Sequence, residues 1–156
     1  MSRATPLDEL MRERAAWRAA GERLAFTNGC FDLLHPGHLS LLEHARRTAD
    51  RLVVAINSDA SVRALKGPGR PLLPEAERAE TLLALEPVDR VVVYAEPTPL
   101  ELIERLLPDV LVKGADWALD RIVGREAVEA AGGRVERVAL VPGRSTTRLV
   151  ERIRRP

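Results

Sequence analysis

Glutamine is absent from this 156-residue chain, lysine occurs only at Lys66 and Lys113, asparagine only at Asn28 and Asn57, and cysteine only at Cys30. A single cysteine excludes an internal disulfide. No apolar run approaches the roughly 18 residues that a membrane-spanning helix needs. The polar, mixed-charge stretch Met1–Leu10 lacks the apolar core of a signal peptide, so the cytoplasm is the expected compartment. A formal net charge of +1 gives no electrostatic basis for non-specific nucleic-acid binding, and neither nucleic acid nor membrane is expected as a partner. A G+C-biased codon usage or selection for heat tolerance would each deplete Gln and Asn, and the scarcity of Lys favours the former. The survivors are therefore informative. Both lysines precede glycine and both asparagines end apolar runs, positions where backbone comes close to a ligand. Arginine replaces lysine freely on an open surface but not at a compact charge site.

What is present has the makeup of a globular protein, 46% apolar and 30% charged. The length suits a single domain, with an N-terminal helical segment over residues 1–21 and an α/β core over 22–156. Helical patterns cover Leu7–Ala20, Gly37–Ala49, a short stretch from a capping Asp59 to Ala64, Pro74–Leu85, Pro99–Leu107, Arg125–Ala131 and Ser145–Arg155, the last capped by Ser145. Between them lie strands at Arg23–Thr27, Arg51–Ile56, Arg90–Tyr94, Val110–Lys113 and Val135–Val141, short and nearly all apolar, as in a parallel sheet covered on both faces. The alternation predicts a Rossmann-like, doubly wound, parallel five-stranded sheet with helices on both faces. Ligands of such sheets bind at the carboxyl ends of the strands. The first strand leads to Thr27–His38, the second to Asn57-Ser58-Asp59, the fourth to Lys113-Gly114 and the fifth to Gly143–Thr147, so these unusual segments are expected on one edge.

The segment from Phe26 to His38 runs from a buried strand through a turn into a helix start bracketed by His35 and His38. A helix N-terminus offers free N–H groups and the positive end of the dipole. Gly37 lets a phosphate approach the backbone, and two imidazoles add donors that follow charge during phosphoryl chemistry. The constellation points to an enzyme acting on a nucleoside triphosphate. Cys30 with His35, His38 and His44 gives C-x4-H-x2-H, which is not a zinc spacing, and no metal ligand is assigned. Cys30 reads as a small residue in a tight strand-end loop. Ser145-Thr146-Thr147 suits a terminal phosphate at a helix start, and Lys66 lies beside a glycine-rich loop, Gly67–Pro71.

These motifs in this order resemble the HxGH nucleotidyltransferases of the cytidylyltransferase-like superfamily, and within it the D-glycero-β-D-manno-heptose 1-phosphate adenylyltransferases. The resemblance runs from about Arg23 to Ile153 through TNGCFDLLHPGH, Asn57–Asp59, LKGPGRP, Glu77-Arg78, LVKGADW and GRSTT. It implies transfer of AMP from ATP, with Mg²⁺, to the sugar 1-phosphate, giving ADP-heptose and pyrophosphate. In that scheme His35 and His38 meet the α- and β-phosphates, with His38 the better transition-state donor. The backbone around Phe31 and Gly37 cradles the triphosphate. Lys66 neutralises the nucleophile phosphate or the α-phosphate, and Arg78 is a second cation. Ser145, Thr146 and Thr147 hold the β- and γ-phosphates. Lys113, Gly114 and Asp116 border the nucleotide, and Thr27, Asn28, Gly29, Cys30 and Asp32 complete its loop. Asn57 and Asp59 join Lys66 on the acceptor side. Trp117 stands where the heptose group has a tyrosine. Many relatives carry an N-terminal sugar kinase domain, so the expectation is a stand-alone transferase supplied by a separate kinase, with a homodimer compatible. The competing readings are cytidylyl transfer to glycerol 3-phosphate and a non-catalytic nucleotide sensor, which could dispense with His38 and Lys66.

Overall fold

The computed structural model describes residues 3–156; Met1 and Ser2, the start of the expected N-terminal segment, lie outside the described residues. Five strands, β1 (Leu24–Gly29), β2 (Arg51–Asn57), β3 (Arg90–Tyr94), β4 (Val110–Gly114) and β5 (Arg134–Val138), form one all-parallel sheet in the order β3-β2-β1-β4-β5. The helices are α1 (Leu7–Ala19), α2 (Pro36–Arg47), α3 (Asp59–Lys66), α4 (Glu75–Leu83), α5 (Leu100–Leu106), α6 (Arg125–Ala130) and α7 (Thr146–Arg154), with a 3-10 turn at Leu119–Arg121.

The period-2 geometry of the strands sorts the core into two layers. Leu24 and Phe26 of β1, Val53 and Ala55 of β2 and Leu111 of β4 pack with Leu10, Trp17, Leu102, Ile103 and Leu106 of α1 and α5. Ala25, Leu52, Val54, Ile56, Val110 and Val112 face the other way, onto Leu42 and Ala45 of α2 and Ala79 and Leu82 of α4. Every strand residue named here is fully excluded from solvent, which is why the strands read as apolar runs rather than alternations. The chain builds outward from β1 to β3, then returns to place β4 on the other side of β1. Strand order reverses there, and such a reversal opens a crevice at the carboxyl ends of β1 and β4.

The structure adjusts several sequence boundaries, each for a pairing reason. β1 runs on to Gly29 because β2 supplies partners as far as Ile56. β5 stops at Val138, opposite Gly114, where β4 ends and Ala115 turns to donate its N–H to the Val138 carbonyl. The expected cap Asp59 is the first residue of α3, and Ser58 caps instead, its hydroxyl accepting from the N–H of Ser61 at 3.1 Å. Asp59 and Glu75 exchange backbone-to-carboxylate bonds of 2.7 and 2.9 Å, tying the starts of α3 and α4 together.

Arg78 is the largest fully buried side chain. Its guanidinium donates to the carbonyls of Leu73 and Cys30 and to Asp59 Oδ1 at 3.0, 2.7 and 2.9 Å. The expectation that Arg78 meets substrate phosphates is corrected here, because all three of its nitrogens face protein oxygens. Removing one member of a buried charge network strands the others. Arg78→Ala is expected to lower the unfolding free energy by about 3 kcal/mol in urea denaturation; a loss below about 1 kcal/mol would show the clamp to be dispensable.

Candidate active site

Two imidazoles cap α2. His35 occupies the cap position in an extended conformation, its Nδ1 accepting from the N–H of Gly37 at 3.1 Å. Three residues on, His38 Nδ1 accepts from the N–H of His35 at 3.3 Å. The rings stack with centroids 3.9 Å apart, and Phe31 packs against His38 at 5.1 Å. This is a capping box built from histidines. Because each Nδ1 lone pair receives a backbone N–H, the neutral ring carries its proton on Nε2. Burial, then the charges of His35 and Lys66, hold His38 down at about 4, and burial followed by Arg144 also lowers His35. At neutral pH the pair presents two uncharged Nε2–H donors. A side chain at Gly37 would place its Cβ 2.8 Å from the His35 ring, so the reciprocal cap requires glycine. The N–H of Gly37, expected to cradle phosphate, is taken by His35.

Both rings open onto a cleft of about 420 Å³ at the carboxyl ends of β1 and β4. Its opposite wall is the start of α7. Ser145 caps that helix, its hydroxyl accepting from the N–H of Arg148, and Thr146 donates its hydroxyl to the Leu33 carbonyl, fastening α7 to the β1–α2 loop. Among the described residues the N–H groups of Thr146 and Thr147 find no protein acceptor, which leaves them for an anion. Thr27, Gly114, Asp116 and Arg144 complete this chamber. Sequence reasoning quoted the Gly143–Thr147 motif yet passed over Arg144, whose position beside a helix cap was the available signal.

A second chamber of about 430 Å³ adjoins the first. The two share Asn28, Gly29, Cys30, Lys66, Lys113 and Trp117, and the second adds Asn57, Leu65, Tyr94 and the Pro97–Pro99 turn. Tyr94 and Thr98 were not singled out in the sequence, since a strand-end tyrosine gives no signal of its own. Across the floor, Asn28 donates to the Tyr94 hydroxyl at 3.2 Å and accepts from Lys113 Nζ at 3.1 Å. The Cys30 thiol points to Asn57 Oδ1 at 3.6 Å, while the Asn57 amide donates to Ser61 at 3.0 Å.

Besides Arg78, two expected ligand residues lie outside both chambers. Asp32 is buried and accepts from the N–H groups of Leu72 and Leu73 and from Arg70. Burial alone would raise its carboxyl, yet those donors hold it below the usual carboxylate range. It anchors the loop after Lys66 rather than facing a ligand. Asp59, expected on the acceptor side, is bound to Glu75 and Arg78. Phe31 between these anchors has φ +49°, a left-handed conformation costing roughly 1–2 kcal/mol for a residue with a side chain, and the bonds to Cys30 and Asp32 on either side hold it there.

Residues 26–151 match the Cytidylyltransferase-like family. The chain belongs to that family. Within this cytidylyltransferase-like fold it is a nucleotidyltransferase domain carrying the HxGH motif at His35–His38. The chain is 59% identical over 139 residues to the bifunctional protein HldE of Magnetococcus marinus, covering 89% of this chain and 28% of that protein. It is 58% identical over 147 residues to the bifunctional protein HldE of Geobacter sulfurreducens, covering 94% and 30%. The chain thus spans about 30% of the length of the curated relatives it matches. Among solved structures, it superposes with a TM-score of 0.63 on the lipopolysaccharide core biosynthesis protein from Thermoplasma volcanium, at 26% identity over 78% of this chain and 98% of the other.

The depressed imidazoles make folding pH-dependent. Below about pH 6.5 the unfolded chain takes up protons that folded His38 refuses until about 4. Stability is therefore fully present above 6.5 and falls as pH drops toward 4. His35 contributes with the same sign. His38→Asn, which keeps an acceptor near the His35 N–H, is expected to lose less stability between pH 7 and 4.5 than the parent in denaturant titrations. Identical pH slopes would contradict a neutral, buried His38.

Proposed function

We propose that this protein transfers AMP from ATP to D-glycero-β-D-manno-heptose 1-phosphate, releasing pyrophosphate and ADP-heptose in the cytoplasm. The observation that carries the transfer is the histidine capping box facing the start of α7 across one cleft. An oxygen of the acceptor phosphate forms a bond to the α-phosphorus while the bond from that phosphorus to the α,β-bridging oxygen breaks. The electron pair leaves with pyrophosphate. A phosphomonoester is largely ionised at neutral pH, so no general base is needed, and positioning with charge stabilisation does the work. The two Nε2–H donors stabilise charge building on the α- and β-phosphates without bringing charge of their own. The free N–H groups of Thr146 and Thr147 receive the leaving phosphates, and Lys66, exposed at the end of α3, swings onto the α-phosphate.

Among the described residues no three His, Cys, Asp or Glu side chains gather to hold a metal. This fits Mg²⁺ arriving with the triphosphate, bound mostly by phosphate and water, with exposed Asp116 the free carboxylate of the cleft. When bound, the ion supplies charge neutralisation across the phosphates. The choice of acceptor is supported by the 54–59% identity to bifunctional HldE proteins. The second chamber, apolar at Leu65 and Trp117 and polar at Tyr94 and Thr98, has room for a sugar.

Pyrophosphate release is expected to be faster with ATP and heptose 1-phosphate than with CTP and glycerol 3-phosphate; the reverse ranking would transfer the protein to the polyol cytidylyltransferases. His38→Ala is expected to lower kcat by about 10²-fold or more, the scale of losing one transition-state donor, while lowering stability at pH 7.5 by only about 1 kcal/mol, the scale of one lost helix cap; near-normal turnover would remove His38 from the chemistry. Lys66→Ala should impair transfer strongly and Lys66→Arg restore it only in part, because a planar fork does not replace a compact ammonium. Full activity of the alanine variant would leave Lys66 as a surface residue.

A further inference from the structure

The two lysines that survive in this arginine-rich chain both stand at the junction of the two chambers, but in different settings. Lys66 is exposed at the end of α3, and its charge acts on His38. Lys113 ends β4 on the chamber floor. Its ammonium donates to the side-chain and backbone oxygens of Asn28 at 3.1 and 3.4 Å, and the Trp117 ring lies 5.2 Å away. These partners orient a cation and leave it un-neutralised. Among the described residues no carboxylate pairs with Lys113, and Asp116 and Cys30 act on it only through space. An ammonium has three donors, and a poorly hydrated cation without a counter-ion is costly. Its position is nonetheless fixed, because Asn28 is itself held by the Tyr94 hydroxyl at the end of β3.

We propose that Lys113 binds the phosphate of the acceptor, holding it on the floor between the chambers while Lys66 serves the nucleotide side. This rests on the transfer reading above and divides the two cations by substrate. A phosphomonoester seated there places its polyhydroxyl part toward Tyr94 and Thr98 and one phosphate oxygen toward the cleft with the histidines. The dianion supplies the counter-charge that Lys113 lacks. Burial lowers the ammonium to about 8, so an acceptor phosphate that reaches it must raise that value. Arginine would substitute only in part, since a planar fork does not reproduce the compact ammonium that meets the two Asn28 oxygens.

The scarcity of lysine makes the test direct. In protein carrying ¹³C-labelled lysine, two side-chain signals are expected, assigned with Lys66→Arg. Heptose 1-phosphate, and separately inorganic phosphate, should raise the apparent pKa of the Lys113 signal by about one unit or more. The non-transferable analogue α,β-methylene-ATP should act mainly on the Lys66 signal. In kinetics, Lys113→Met should raise the KM for the sugar phosphate at least about tenfold and the KM for ATP less than about threefold, the pattern of lost acceptor binding. Lys113→Arg should recover only part. A Lys113 signal that follows the ATP analogue and ignores both phosphates, or a Lys113→Met variant that weakens ATP alone, would overturn the proposal. If wild-type protein turns over no substrate pair yet Lys113 responds to phosphate, the transfer reading fails and the phosphate site stands. The wild-type titration keeps the test decisive even where a variant does not fold.

Discussion

The reciprocal bonding of two imidazole Nδ1 atoms to the backbone at the start of α2 is the constraint on which the site depends. One arrangement settles three properties. It ends the preceding loop by satisfying N–H groups that a helix start leaves open. It fixes both tautomers, since an Nδ1 that accepts a bond leaves the proton on Nε2. It also keeps the pair neutral, because protonating either ring would require breaking a backbone bond in a buried place already close to Lys66 and Arg144. A charged pair would bind a triphosphate more tightly in its ground state. A neutral pair offers hydrogen bonds that strengthen as charge develops, which is the difference that accelerates a reaction.

That cap is held in place by groups that touch no substrate. Phe31 turns through a left-handed conformation to bring the loop from β1 to α2, and its ring packs on His38. Arg78 holds the carbonyl on one side of this turn, and Asp32 on the other side binds the loop that follows Lys66. Arg78 and Asp32, whose types suggested contact with the nucleotide, thus serve to shape the cleft. The hydroxyl of Thr146 does the same for α7, which would otherwise meet the cleft only through its cap.

Charge in the site is divided by exposure. Lys66 and Arg144 are exposed, and in the proposed reaction they are free to follow phosphates as these arrive and leave. Lys113 is enclosed, aligned by Asn28 and the face of Trp117, and adjusts its proton affinity instead of its position. The Trp117 ring, 5.2 Å from that ammonium, offers it the broadest π-face among the side chains.

The order of strands and helices was legible because fully buried parallel strands leave uninterrupted apolar runs, such as Leu52–Ile56, and because Gly, Pro and Ser mark the helix ends. The residues of the cleft were legible for a related reason. A chain depleted of Lys and Asn retains them where no other side chain serves, and Asn28, Asn57, Lys66 and Lys113 all line the chambers. Residue type alone could not separate a ligand from a brace. Arg78, Asp32 and Asp59 carry the charges a phosphate site would use, and their partners are supplied by carbonyls and N–H groups up to 48 positions away in the chain. Arg144 and Tyr94 went unread because each becomes part of the site only when α7 folds over the β1–α2 loop and β3 aligns beside β2. The sequence by itself determined which elements form and which edge of the sheet carries the chemistry, since both follow from local periodicity and capping. Tertiary structure alone decided which charged groups are buried against protein and which remain open to substrate, since hydration and hydrogen-bond partners are properties of the packed chain.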